Sequence, residues 1–152
     1  MTSSRLTAAA TDIPRRGSIV PRLDGRNGAG DRVCTRDFYM RRNLAIVFAG
    51  DDDVSRDWVA EASSVSELAT AEAGQVLLVV HRDVSPGGLP SIIDHDGMNQ
   101  SRFGLGAADL PALFITDRYG TLFATSHGHD GIADLRPRDI PRWLEFVACR
   151  CS

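Results

Sequence analysis

Leu110-Pro-Ala-Leu-Phe-Ile-Thr-Asp-Arg-Tyr-Gly-Thr-Leu-Phe-Ala-Thr125 joins a proline, an apolar run, a polar turn closed by glycine, and a second apolar run. Pro111 lacks an N–H for a sheet ladder, so it belongs at the entry of a strand and not inside one. Runs 112–116 and 121–125 then read as a β-hairpin around Asp117-Arg-Tyr-Gly120. Two earlier runs, Asn43-Leu-Ala-Ile-Val-Phe-Ala49 and Gln75-Val-Leu-Leu-Val-Val-His81, are continuously apolar and do not alternate. At strand length, that pattern marks strands buried on both faces, as in a parallel sheet. Between them Trp58, Ala62, Val65, Leu68 and Ala69 recur at helical spacing. Ser55 is expected to cap this helix, Asp57 to sit in its first turn, and Gly74 to stand at its C′ position. Strand, helix and strand with short loops make a right-handed βαβ unit.

Towards the C-terminus come Ser91-Ile-Ile, the turn Asp94-His-Asp-Gly97 and a short helical stretch to Phe103. A closing helix is expected over 139–149, with Pro141 in its first turn and Ile140, Trp143, Leu144 and Val147 on its apolar face. The order is β-α-β-α-β-β-α. Strands 43–49, 76–81, 112–116 and 121–126 should form one layer, with the helices at about 56–73 and 139–149 on opposite faces. Residues 1–17, rich in Ser, Thr, Ala and Arg without apolar period, read as a disordered leader to a domain spanning 18–150. The stretch from Ile19 to Asp31, with Gly25, Gly28 and Gly30, reads as a hairpin or loop.

Composition narrows the function classes. At 152 residues the chain is of single-domain size, and 43% hydrophobic with 24% charged residues is ordinary for a globular protein. A net charge of −3 argues against a nucleic-acid binder. All 17 basic residues are arginine, which excludes Schiff-base and lysine-nucleophile chemistry and hints at a GC-rich, bacterial genome. No apolar run approaches the ~18 residues that a membrane helix requires. The first 20 residues carry scattered arginines and no apolar stretch, so no secretory signal is expected. Three cysteines do not make a secreted disulfide framework, which places the chain in the cytoplasm.

The element order, with proline directly before the third core strand, resembles the thioredoxin fold. Val33-Cys-Thr-Arg-Asp-Phe-Tyr-Met-Arg-Arg-Asn-Leu-Ala-Ile-Val-Phe48 resembles the opening segment of the peroxiredoxin-like redoxins of the alkyl hydroperoxide reductase/thiol-specific antioxidant family. Residues 110–123 look like that family's cis-proline strand and turn, and Trp143-Leu-Glu-Phe-Val147 is similar to its terminal helix. The resemblance spans roughly 33–148. It implies an α/β thioredoxin-like fold, with a central mixed sheet of four or five strands flanked by helices on both faces. It implies an antioxidant, oxidoreductase-like activity without cofactor, and makes Pro111 the candidate cis-proline. Leu110 and Pro111 would then be the substrate-binding residues, lying close to the Gly50–Asp57 loop, with a protein or peptide partner beside them.

The departure from the family lies at the active cysteines, which should follow the first central strand. Laid over a Cys-x-x-Cys, the two sulfur positions fall near Val54 and Asp57, and no cysteine occurs between Gly50 and Trp58. Asp51, Asp52 and Asp53 invite a metal reading, but adjacent carboxylates before a helix are favoured by its dipole alone, and no metal is expected. Cys34 reads as a small, partly buried hydrophobe. Cys149-Arg-Cys151 is either a displaced redox or metal-binding pair or an incidental exposed tail. His127 and His129 give two potential ligands where zinc needs three or four. Two functions compete: a redoxin with its active sulfur moved to Cys149 and Cys151, and a non-catalytic thioredoxin-like binding module.

Overall fold

The computed structural model describes residues 12–71, 74–83, 89–128 and 135–150. In chain order the elements are β1 (Asp24–Arg26), β2 (Arg32–Cys34), β3 (Asn43–Ala49), α1 (Asp53–Ala71), β4 (Gly74–Val80), β5 (Ser91–Ile93), α2 (Met98–Arg102), β6 (Ala112–Thr116), β7 (Leu122–His127) and α3 (Ile140–Arg150). Short 3₁₀ turns lie at Thr35–Asp37, Ala107–Asp109 and Pro137–Asp139.

The strands form one mixed sheet in the order β2-β1-β5-β4-β3-β6-β7. The apolar runs sit at its centre. β3 pairs in parallel with β4 from Asn43↔Gly74 to Ala49↔Val80, and antiparallel with β6 from Leu44↔Thr116 to Phe48↔Ala112. β6 and β7 are the expected hairpin, turning at Gly120 with φ of 86°, where a side chain would also meet the Tyr39 hydroxyl. Seven strands replace the expected four or five. The additions, β1, β2 and β5, have three residues each, too short to show a period.

Alternation splits the central strands between two cores. Ala45, Val47, Ala49, Val76, Leu78, Val80, Leu113 and Ile115 face Trp58, Ala62 and Ala69 of α1 and Ile140, Leu144 and Val147 of α3. Leu44, Ile46, Phe48, Leu77, Val79 and Phe114 point the other way, against Val20, Leu23, Val33, Phe103 and Leu105. Both long helices therefore share one face, which corrects the expectation of opposite faces. The second face is filled by the chain before β3 and by Phe103 at the end of the short α2. Its centre is three rings, with Phe48 and Phe114 lying 4.9 and 5.0 Å from Phe103 and 5.7 Å from each other. Edge-to-face packing of this kind adds to simple area burial.

Three local readings change. α1 begins at Asp53, so Ser55 is not its cap but a buried residue of its first turn. Leu68, assigned to the apolar stripe, is 60% exposed. Gly74 opens β4 in place of closing α1, and a Cβ there would lie 2.5 Å from Leu144 Cδ1 and 3.1 Å from the Ala69 carbonyl oxygen. Glycine at 74 lets α3 approach the sheet. Of the expected leader, residues 1–11 lie outside the described residues, whereas Ile13 packs on the second core and the Gly17 N–H donates to the Leu122 carbonyl. Among the described residues no helix is long and apolar enough to cross a membrane.

Candidate functional site

At the carboxyl end of β3 the chain turns through Gly50, Asp51 and Asp52 into α1. This loop is fixed from within, because the buried Ser55 hydroxyl accepts the Gly50 N–H at 2.9 Å. Val54 and Asp57, the positions expected for a redox pair, are both exposed on the first turns of α1. The i, i+3 pair that straddles the helix start is instead Asp52 and Ser55, two residues earlier. Neither frame holds a thiol.

The three aspartates diverge. Asp53 pairs with Arg56 at 2.6 Å on the exposed face of α1. Asp51 faces the end of β4, its carboxylate 4.0 Å from His81 Nδ1 and 3.7 Å from Arg82 Nε. His81 Nε2 lies 2.8 Å from Gln100 Oε1, and the Gln100 amide donates to the Leu105 carbonyl at 3.1 Å. With that amide so oriented, Gln100 presents an oxygen to His81, so Nε2 is the donor of this bond. Asp51, His81 and Gln100 come from three separate segments. No spacing in the sequence announces the cluster, and sequence reasoning misses it.

The Leu110–Pro111 peptide bond is cis and abuts the same loop. A Cβ at Gly50 would lie 3.5 Å from Leu110 Cδ1. Leu110 is buried and its N–H donates to the Ala107 carbonyl at 3.3 Å. Gly128 N–H closes the other side, donating to the Asp109 and Pro111 carbonyls at 2.7 and 3.2 Å. The backbone flanking Pro111 is thus largely engaged within the chain.

The remaining candidates lie apart from this loop. Cys34 is buried at the end of β2 and Cys149 is exposed at the end of α3. Cys151 and His129 fall outside the described residues. His127 ends β7 with its Nδ1 3.8 Å from Asp109. Among the described residues no three His, Cys, Asp or Glu side chains gather as a metal centre would need.

No family model matches the chain, and no curated protein matches it. Solved structures do. The thioredoxin domain of a thiol-disulfide oxidoreductase from Bacteroides vulgatus is similar at 15% identity and a TM-score of 0.65, covering 88% of this chain and 99% of that one. The peroxidoxin BcpB from Mycobacterium tuberculosis matches at 10% identity and a TM-score of 0.69, over 90% of this chain and 97% of that one. Mycobacterium tuberculosis AhpC matches at 15% identity and a TM-score of 0.66, over 88% and 92%. Identities this low speak for backbone architecture and not for shared chemistry. On sheet order, helix placement and these likenesses together, the chain has the thioredoxin-like fold.

Proposed function

We propose that this chain is a redoxin-fold protein that has lost thiol catalysis at the start of α1 and acts there as a non-catalytic binder of a protein or peptide segment. One observation carries the reading: the helix start holds Asp52, Asp53, Val54 and Ser55, while Leu110 beside the cis-proline still abuts the loop. An attacking sulfur must be held as a thiolate by helix N–H groups or a nearby cation. The carboxylates of Asp51, Asp52 and Asp53 oppose that charge, and a basic partner would bind by exchanging with the exposed pairs that Asp51 and Asp53 make to Arg82 and Arg56. Because the Leu110 N–H is engaged with Ala107, the partner meets the loop through side chains more than through main-chain pairing at Leu110. The cytoplasm, where thiols stay reduced, suits such a protein.

A second reading places thiol-disulfide or peroxidase chemistry on Cys149 and Cys151, favoured by the exposure of Cys149. The negative end of the α3 dipole works against a thiolate there. The test is peroxide consumption and insulin-disulfide reduction by the wild type, Cys34→Ser, and Cys149→Ser/Cys151→Ser. No turnover in any of the three is the expected result. Turnover lost only in the double variant selects the second reading. Turnover that dies with Cys34→Ser overturns both. In a parallel titration, an arginine-rich extended peptide should bind and a glutamate-rich one should not, with Asp51→Asn/Asp53→Asn weakening the former.

A further inference from the structure

On the sheet face opposite the long helices, β1 and α2 are joined through one buried side chain. Asn99 Oδ1 accepts the Asp24 N–H at 3.0 Å, and its amide donates to the Asp24 carbonyl at 2.9 Å and to Asp94 Oδ1 at 3.1 Å. Asp94 in turn accepts the N–H groups of Asn99 and Gln100 at 3.1 and 2.9 Å. Asn99 and Asp94 are each 3% exposed, so the junction is a satisfied polar node that fixes α2 relative to the β1–β2 hairpin.

Above this junction lies a cavity of about 470 Å3 lined by Arg22, Asp24 and Arg102. Asp24 does not neutralise the two arginines. Arg32 takes both its carboxylate oxygens, Nε to Oδ1 at 3.1 Å and NH2 to Oδ2 at 2.9 Å. That hydrogen bonding holds the Asp24 carboxyl below its usual range, and the fields of Arg102 and Arg22 act in the same direction. Among the described residues Arg102 hydrogen-bonds neutral atoms, Asn99 Oδ1 and Met98 Sδ, each at 3.5 Å. Arg22 has no ion-pair partner among the described residues. The Asp24–Arg32 pair is neutral overall, which leaves two guanidinium groups without an ion-pair partner among the described residues on this concave surface.

We propose that this cavity binds a small molecule through a dianionic oxyanion group, a phosphate monoester or a dicarboxylate, held between Arg22 and Arg102. Guanidinium is well matched to such a group, because its planar fork meets carboxylate and phosphate oxygens two at a time and is always charged. Since the whole chain carries a net charge of −3, the attraction is local to this cavity.

The test titrates the full chain with inorganic phosphate, succinate and acetate at constant ionic strength, following backbone amide resonances. Saturable binding of phosphate or succinate is expected, with shifts at Asp24 and along α2, and whichever binds tighter identifies the source of the dianion. Arg22→Gln/Arg102→Gln keeps the side-chain stems and should weaken binding at least tenfold, with an unchanged thermal transition. Asp24→Asn removes the one negative charge among the described lining residues and should tighten it. Three results overturn the proposal: no saturable binding, equal binding of acetate, or a double variant with wild-type affinity. Weaker anion binding by Asp24→Asn would overturn it as well.

Discussion

Removing the Ser55 hydroxyl tests how the loop before α1 is held. Ser55→Ala deletes the acceptor of the Gly50 N–H and leaves that donor without its partner inside the loop. Leaving a buried donor unsatisfied costs about 1–3 kcal/mol, and for the half-buried Gly50 N–H the lower part of that span, about 1–2 kcal/mol, applies. Alanine returns roughly 0.5 kcal/mol of helix propensity, so the net loss is about 0.5–1.5 kcal/mol. In a chain of this size each kcal/mol moves Tm by about 2–4 °C, which makes a drop of roughly 2–4 °C the central expectation. The measurement is a thermal or denaturant transition at neutral pH, with Ser64→Ala as control. Ser64 is exposed and its hydroxyl only bonds the Glu61 carbonyl one turn back, so that change should stay within about 0.5 kcal/mol. Amide exchange at Gly50 should accelerate in Ser55→Ala and not in the control. If Ser55→Ala melts with the wild type and Gly50 exchange is unaltered, the hydroxyl does not hold the loop and the site geometry described above is wrong.

Two further predictions concern packing and ionisation. Gly74→Ala pushes a methyl group into Leu144 and should cost about 1–3 kcal/mol in a urea titration; Gly74→Ala/Leu144→Val should cost less than the sum of its single changes. Burial raises the pKa of Tyr39 above the ordinary phenol value, with the neighbouring Thr35 acting more weakly in the opposite direction. A raised folded pKa gives stability that is full below the unfolded value and lost as pH rises through the folded one. In a Tyr119→Phe background, phenolate absorbance of the native chain should therefore appear at higher pH than in denaturant, and coincident titrations would refute the burial of Tyr39.

The sheet's centre was legible because β3, β4 and β6 are buried on both faces and so spell unbroken apolar runs. The hairpin was legible because Gly120 closes a turn between two such runs. Helix placement was not, because the stripe of Ile140, Leu144 and Val147 shows that α3 has an apolar face but not which sheet face receives it. The start of α1 was ambiguous for a different reason. Asp51, Asp52, Asp53 and Ser55 are all chemically able to cap, and only the inward turn of the Ser55 hydroxyl decides among them. β1, β2 and β5 exist through pairing with distant neighbours, which no local pattern encodes. The same holds for the Asp51–His81–Gln100 cluster and for the Arg22–Arg102 cavity, whose members meet only once α2 docks.

The segment before β1 carries a consequence for how the molecule is made. The Gly17 N–H bonds the Leu122 carbonyl, the Leu122 N–H bonds the Ser18 carbonyl, and the Val20 N–H bonds the Gly120 carbonyl, with Ile19 bridged to Thr121. Val20 and Leu23, which help seal the Phe48–Phe103–Phe114 face, thus reach their places only when the β6–β7 turn exists to receive them. On the ribosome the first of these residues emerges long before its partners are translated. The βαβ unit can assemble from what is already outside the exit tunnel, while one side of its sheet stays uncovered. Contacts of this sequence separation slow folding and prolong the exposure of apolar surface. For this chain the face lined by Phe48 and Phe114 stays open until the turn at 117–120 arrives to receive the early segment, and the opposite face until α3 follows.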